Sequence, residues 1–290
     1  MRALAVILAA ALLAGCAAGS SGTLGETEAA QDWQQPSLAA AGRLGEQPRA
    51  SSFAGVPLPA EESYTRETLR RNFLSIALRA EAADDSDAAG DIAIAKWTAP
   101  LRYRLIGARP GDSRQVATLT RRLSRLTGLD IAPATGPQRP NVVLRFVRRP
   151  ARQRVVRDLG GARALGPRVG RLVTRWRDGE REKCLGLIAV DPRTGAIAAS
   201  EILIKDELHP ELRKACIVEE IVQSLGLMND DPTARPSIFN DDQQYLELTS
   251  HDEYLLRILY DPRIRPGMTR RAVVPQLRRI LDDLQPGARA

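Results

Sequence analysis

Residues 211–227 read ELRKACIVEEIVQSLGL, and they limit what this chain can fold into more than any other stretch. At about 100° of rotation per residue, Ala215, Ile217, Val218, Ile221, Val222 and Leu225 share one wide arc of a helix. Arg213, Glu219, Glu220, Gln223 and Ser224 lie opposite. Taken alone this is an amphipathic helix, with Glu219 and Gln223 as a solvated pair one turn apart. Leu212, Cys216 and Leu227 fall on the polar arc, however, and want cover there. The wheel does not choose between these readings.

The rest of the chain supplies elements to pack against that helix. Residues 64–81 repeat Leu69, Phe73, Ile76 and Ala77 at helical spacing. After a polar break at 84–91, residues 92–107 alternate Leu101, Tyr103 and Leu105 as a strand. Asp112-Ser113 is placed to cap a helix over 113–128 that stops at Gly128. Val142, Val143, Leu144 and Phe146 make a second strand. Segments 185–190 and 196–204 flank Asp191-Pro192-Arg193-Thr194-Gly195, a hairpin turn. Further helices are expected near 250–260 and 269–284. The order predicts an α+β fold with one mixed sheet and a helical C-terminal part.

The start of the chain has the charged opening, apolar centre and small-residue exit of a secretory signal: Met1-Arg2, then an apolar run over 3–14. That run is shorter than the roughly 20 residues a membrane span takes. Its ending, Leu13-Ala14-Gly15-Cys16, resembles the bacterial lipobox, which implies that Cys16 is lipid-modified and becomes the mature N-terminus. A plain signal peptide cut near Ala18 is the other reading. Ala17 after the cysteine, where an aspartate would mark retention at the inner membrane, favours the periplasmic face of the outer membrane. The expected organisation is a signal peptide over 1–15, a flexible tether over 16–60 and a folded domain over 61–290.

With 43% hydrophobic and 27% charged residues, the domain can bury a core. If Cys16 carries lipid, Cys184 and Cys216 remain as an even pair in an oxidising compartment, and a disulfide between them is expected. Two separate buried thiols are the alternative. The net charge of +7 is almost wholly arginine, since Lys96, Lys183, Lys205 and Lys214 are the only lysines. The segment opened by Arg145 and closed by Arg181 holds twelve arginines against Asp158, Asp178 and Glu180. Such a patch suits anionic lipid headgroups or lipopolysaccharide phosphates, or is simply a solvated face. Nucleic acid, the usual partner of a basic run, is out of reach of an exported protein.

Zinc proteases of the metzincin type use H-E-x-x-H-x-x-G-x-x-H, in which imidazoles grip the metal and the glutamate is the general base. The same positions here are Glu219, Glu220, Gln223, Gly226 and Asn229, so the glutamate and glycine stand and every histidine is replaced. Downstream, Ser-Ile-Phe-Asn-Asp at 237–241 resembles the turn that floors a metzincin site, with Phe239 in the methionine's place. LTSHDEYLLRILYD at 248–261 is similar to the closing metzincin helix, and the strand AASEILIKDE to the edge strand that zincins use to hold peptides. The resemblance implies a zincin-like fold with a degenerate site: Glu220 in the place of the catalytic base, and Glu219, Gln223, Asn229, Asp230 and Phe239 lining a binding cleft.

The same residues are similar to a bacterial domain family of secreted proteins and lipoproteins, numbered twenty-nine twenty-seven. Its pattern is a cysteine, Glu-Glu-x-x-Gln-x-x-Gly-Leu, Ser-x-Phe-Asn-Asp and Leu-Thr-x-x-Asp. That resemblance implies a fold and a place in the cell, not a reaction. No zinc and no cofactor are expected, because glutamine and asparagine oxygens bind zinc poorly. A harder ion such as calcium or magnesium accepts such oxygens, with Asp231, Asn240, Asp241 and Asp242 nearby, yet these lack the regular spacing of a calcium loop. His209 and His251 read as capping or surface residues. The expected function is that of a zinc-free pseudoenzyme anchored in the cell envelope, binding a peptide or protein or serving envelope maintenance. Two alternatives stand beside it: a divergent hydrolase using Glu220 with a non-zinc metal, and a binder of the anionic envelope through the arginine-rich segment.

Overall fold

The hairpin expected around 191–195 forms one side of the sheet, as a computed structural model of residues 64–79, 91–161, 165–179, 182–240 and 245–284 describes it. Cys16, the apolar run and the tether lie outside the described residues, as do Asp241 and Asp242. Helix α1 is Arg66–Ile76, followed by β1 Lys96–Trp97, β2 Leu101–Ile106, α2 Pro110–Thr127, β3 Ile131–Pro133 and β4 Val142–Val147. Then come α3 Arg152–Asp158, α4 Gly166–Asp178, β5 Cys184–Val190, β6 Ala196–Lys205, α5 Pro210–Gln223, α6 Ser250–Tyr260 and α7 Arg270–Leu284. Seven helices and a mostly parallel six-stranded sheet make a mixed α/β fold.

Strand order runs β1-β6-β4-β2-β3, with β5 also paired to β6. Strand β6 is parallel to β4, with Ser200 opposite Val142 and Lys205 opposite Val147, while β5 is antiparallel to it from Cys184–Ile204 onward. The strand carrying AASEILIK is therefore interior, not an edge, and the rim of that hairpin is β5. Alternation along each strand feeds two cores. Ile202 and Ile204 face the larger one with Leu144, Phe146 and Ile188, under α1, α2, α5, α6 and α7. Leu203 turns the other way with Leu185, Leu187 and Val147, and is covered by Val156, Val169, Leu172, Val173 and Trp176 of α3 and α4. Both faces of the hairpin are apolar because both are covered.

Local chemistry sets the helix ends. Thr65 caps α1 by accepting from the Thr68 amide at 3.0 Å. Helix α2 begins three residues before the position expected from Asp112-Ser113, because Pro110 occupies its first turn and Asp112 sits at the third helical position, accepting from the Arg109 amide at 2.6 Å. It ends at Gly128, whose φ of 74° is the left-handed cap that the sequence promised. Among the described residues no helix is long and apolar enough to cross a membrane.

Candidate functional site

Helix α5 is buried on every side, which removes the reading of Glu219 and Gln223 as a solvated pair: they are 4% and 0% exposed. The sheet covers one arc. The other is covered by the chain that returns after the helix and by α2. Arg213, 3% exposed, is held by the Asp112 carboxylate at 2.8 and 2.6 Å and by Asp206 at 3.1 Å, with its guanidinium 4.1 Å from the Phe146 ring centroid. A buried cation needs such complete pairing. Cys216 is bonded to Cys184 of β5 with Cα atoms 5.9 Å apart, as expected, so helix and rim strand are joined covalently. Closing a loop of this size stabilises a fold by about 3–4 kcal/mol in the chain-entropy account.

The helix ends against β1. Trp97 Nε1 donates to the Ser224 carbonyl at 2.8 Å, and the Tyr260 hydroxyl to that of Leu225 at 2.8 Å, satisfying carbonyls that a helix end leaves open. Gly226 follows at φ +115°, where a Cβ would stand 2.0 Å from the Ala95 carbonyl oxygen. The chain then turns back along α1: the amides of Met228 and Asn229 both donate to the Ile76 carbonyl at 3.1 Å, and Asn229 Nδ2 to that of Ser75 at 3.2 Å.

This return brings Asp230 to α5, where Gln223 Nε2 donates to its Oδ1 at 2.9 Å. Glu220 is fully buried, and neither of its carboxyl oxygens has a hydrogen bond of normal geometry among the described residues. Burial first, and the Asp230 charge second, push its carboxyl well above the ordinary carboxylate range, against a pull from the Gly186 amide of β5. Gln223 Oε1 also lacks a partner. Phe239 is fully buried in the short 3-10 turn Ile238–Asn240, and its carbonyl accepts from the Asp231 amide at 2.8 Å. The Asp231 carboxylate is occupied by its own turn, accepting from Thr233 N at 2.9 Å and Thr233 Oγ1 at 2.6 Å. Among the described residues no three His, Cys, Asp or Glu side chains gather as a metal cluster.

Zinc does not fit these residues. At the three imidazole positions stand Glu219, Gln223 and Asn229, whose carboxylate and amide oxygens are poor substitutes for imidazole nitrogen, and the Gln223 and Asn229 side chains are oriented by donation to Asp230 and to the Ser75 carbonyl.

The other two landmark segments meet at a residue that the sequence reading passed over. Asp252, fully buried, accepts from Ser237 Oγ at 2.6 Å, the Ile238 amide at 3.2 Å and the Thr249 amide at 2.9 Å. Its own amide donates to Thr249 Oγ1 at 3.2 Å, completing a capping box for α6. The Ser-x-Phe-Asn and Leu-Thr-x-x-Asp patterns are accounted for by this knot. A Thr three residues before an Asp at the start of an apolar helix was the signal available for it. His251 is a correction: it is not a surface residue but 0% exposed, 3.1 Å from Asn72 Nδ2 and edge-on to the Tyr64 ring. His209, half exposed, sits beside Glu211 at the start of α5.

The arginine-rich segment folds as α3 and α4, two helices the sequence reading left unassigned. Val169, Leu172, Val173 and Trp176 lie at i, i+3, i+4 and i+7, so the period was there to be read. Four of the twelve arginines meet acids from other parts of the chain: Arg145 pairs with Glu201, Arg148 with Asp206, Arg152 with Glu207 and Arg175 with Glu182. Glu201 is buried so deeply that its carboxyl is pushed up to about 7 despite Arg145.

Fold and site together define a mixed α/β protein in which a disulfide-clasped central helix presents a buried carboxyl–amide cluster. The chain belongs to the family described as "Protein of unknown function (DUF2927)", whose profile matches residues 66–279. No curated protein and no solved structure matches it.

Proposed function

We propose that this protein is a lipid-anchored component of the bacterial cell envelope, held at the periplasmic face of the outer membrane through Cys16. Its metzincin-like domain carries no zinc and binds a peptide or protein segment instead of cutting it. The observation that carries this reading is the state of Glu220. A general base must be ionised at working pH, and full burial and the Asp230 charge both push this carboxyl well above the ordinary carboxylate range. Support also comes from the donor set, since amide oxygens at two of the three imidazole positions make a poor zinc site. The antiparallel rim strand β5, clasped to α5 beside Glu220, supplies backbone of the kind that pairs with an extended peptide. The pairing of the arginines with Glu201, Asp206, Glu207 and Glu182 counts against the anionic-surface alternative.

The test is elemental analysis of the purified protein together with incubation with a denatured protein substrate, with and without added divalent ions. The expected result is no stoichiometric zinc and no cleavage. One zinc per chain, or chelator-sensitive cleavage abolished by Glu220→Gln, would replace this reading with that of a divergent hydrolase.

A further inference from the structure

We propose that Glu220, Gln223 and Asp230 form a site for one small, hard divalent cation of the magnesium or calcium class, which pins the chain returning from Gly226 onto α5. The inference goes beyond the peptide-binding reading and does not depend on it.

The cluster is rich in acceptors and poor in donors. Glu220 contributes two oxygens and Gln223 one, all in fully buried side chains, and none has a hydrogen bond of normal geometry among the described residues, although the Gly186 amide of β5 pulls on the Glu220 carboxyl. Glu220 and Gln223 stand three residues apart on one face of α5. The Gln223 amide nitrogen is directed at Asp230 Oδ1, 2.9 Å away, which orients the third group toward the first two.

Buried oxygens left in this state call for something that accepts no hydrogen bonds and carries positive charge. Two carboxylates match the charge of a divalent ion. A set made only of carboxylate and amide oxygens selects a hard ion over zinc, which prefers nitrogen and sulfur. Full burial of Glu220 and Gln223 leaves no way out for the carbon chain of an organic amine, so the occupant is a bare or water-bearing ion. The third ligand is an amide, so the set is not a cluster of three acids.

The location gives the ion a task. Met228 and Asn229, just before Asp230, are held by the Ile76 carbonyl at the end of α1. An ion at Asp230 therefore ties α5, the return segment and α1 at one point.

The experiment uses the whole protein, stripped with a chelator and followed by thermal unfolding as magnesium or calcium is added at about 1 mM, the range of weak extracellular calcium sites. At roughly ten times the dissociation constant, linkage raises the midpoint by about 3–5 °C. The rise is expected to vanish in Glu220→Gln and Asp230→Asn and to persist in Asp231→Asn, whose carboxylate serves a separate turn. Should those variants fail to fold, manganese binding to the wild-type protein, read by electron paramagnetic resonance, replaces them. One manganese per chain displaced by magnesium is then the expected result. No midpoint shift and no stoichiometric manganese, or an undiminished shift in both Glu220→Gln and Asp230→Asn, would overturn the proposal. Hard-ion binding without peptide cleavage supports this site and leaves the peptide-binding reading resting on its donor set and on the absence of cleavage, whereas zinc with cleavage removes that reading.

Discussion

Gly226 was visible in the sequence as part of a zinc-helix pattern, and the structure gives it a different reason to be there. With φ at +115° and the Ala95 carbonyl oxygen 2.0 Å from where a Cβ would lie, only glycine lets α5 end so close to β1. A side chain in left-handed backbone costs about 1–2 kcal/mol, and overpacking adds about 1–3 kcal/mol. Gly226→Ala is therefore expected to lose roughly 3 kcal/mol, seen in calorimetry as a midpoint lowered by roughly 6–12 °C. An unchanged midpoint would mean that the turn relaxes freely. Glu220 shows the converse limit of sequence reading. Its position in the motif was legible, but its protonation depends on burial and on Asp230, ten residues along the chain, and no periodicity reports that.

At the scale of elements, what the sequence made plain was whatever local chemistry determines. The hairpin turn at 191–195, the cap at Gly128 and helices α6 and α7 all follow from nearby residues. The arcs of α5 did not decide its surroundings because an isolated wheel cannot show what covers each side, and here the second side is covered by chain from far away. Strand β3, of three residues, is too short to show any period. The Asp252 knot belongs to this scale, because it fastens the turn at Ile238–Asn240 to the start of α6. Asp252→Ala would leave Ser237 and the amides of Ile238 and Thr249 buried without an acceptor, at about 1–3 kcal/mol each. The expected loss is about 4 kcal/mol, measured as a lower urea midpoint at unchanged slope, with Asp252→Asn losing less. A loss below about 1 kcal/mol would mean that water reaches the knot and replaces the carboxylate.

At the scale of the whole molecule, the proposed anchor can be tested without knowing any ligand. If Leu13-Ala14-Gly15-Cys16 is a lipobox, the mature protein fractionates with membranes, and Cys16→Ser either releases it to the soluble fraction or blocks its processing. Equal solubility of the two forms would remove the membrane from this picture.

The first and last described helices have a bearing on how this domain can be handled. Arg66, at the start of α1, donates to the Arg278 carbonyl of α7 at 3.0 Å and pairs with Asp282. Asn72 bonds His251 across 179 residues of sequence. The first and last described helices thus lie side by side, and a label fused behind α7 would ride close to the start of α1. A chain closed in this way is suited to being recut: residues before α1 and after α7 can be joined by a linker and new ends opened at the exposed Pro192–Thr194 bend, and the contacts between α1 and α7 are then held covalently.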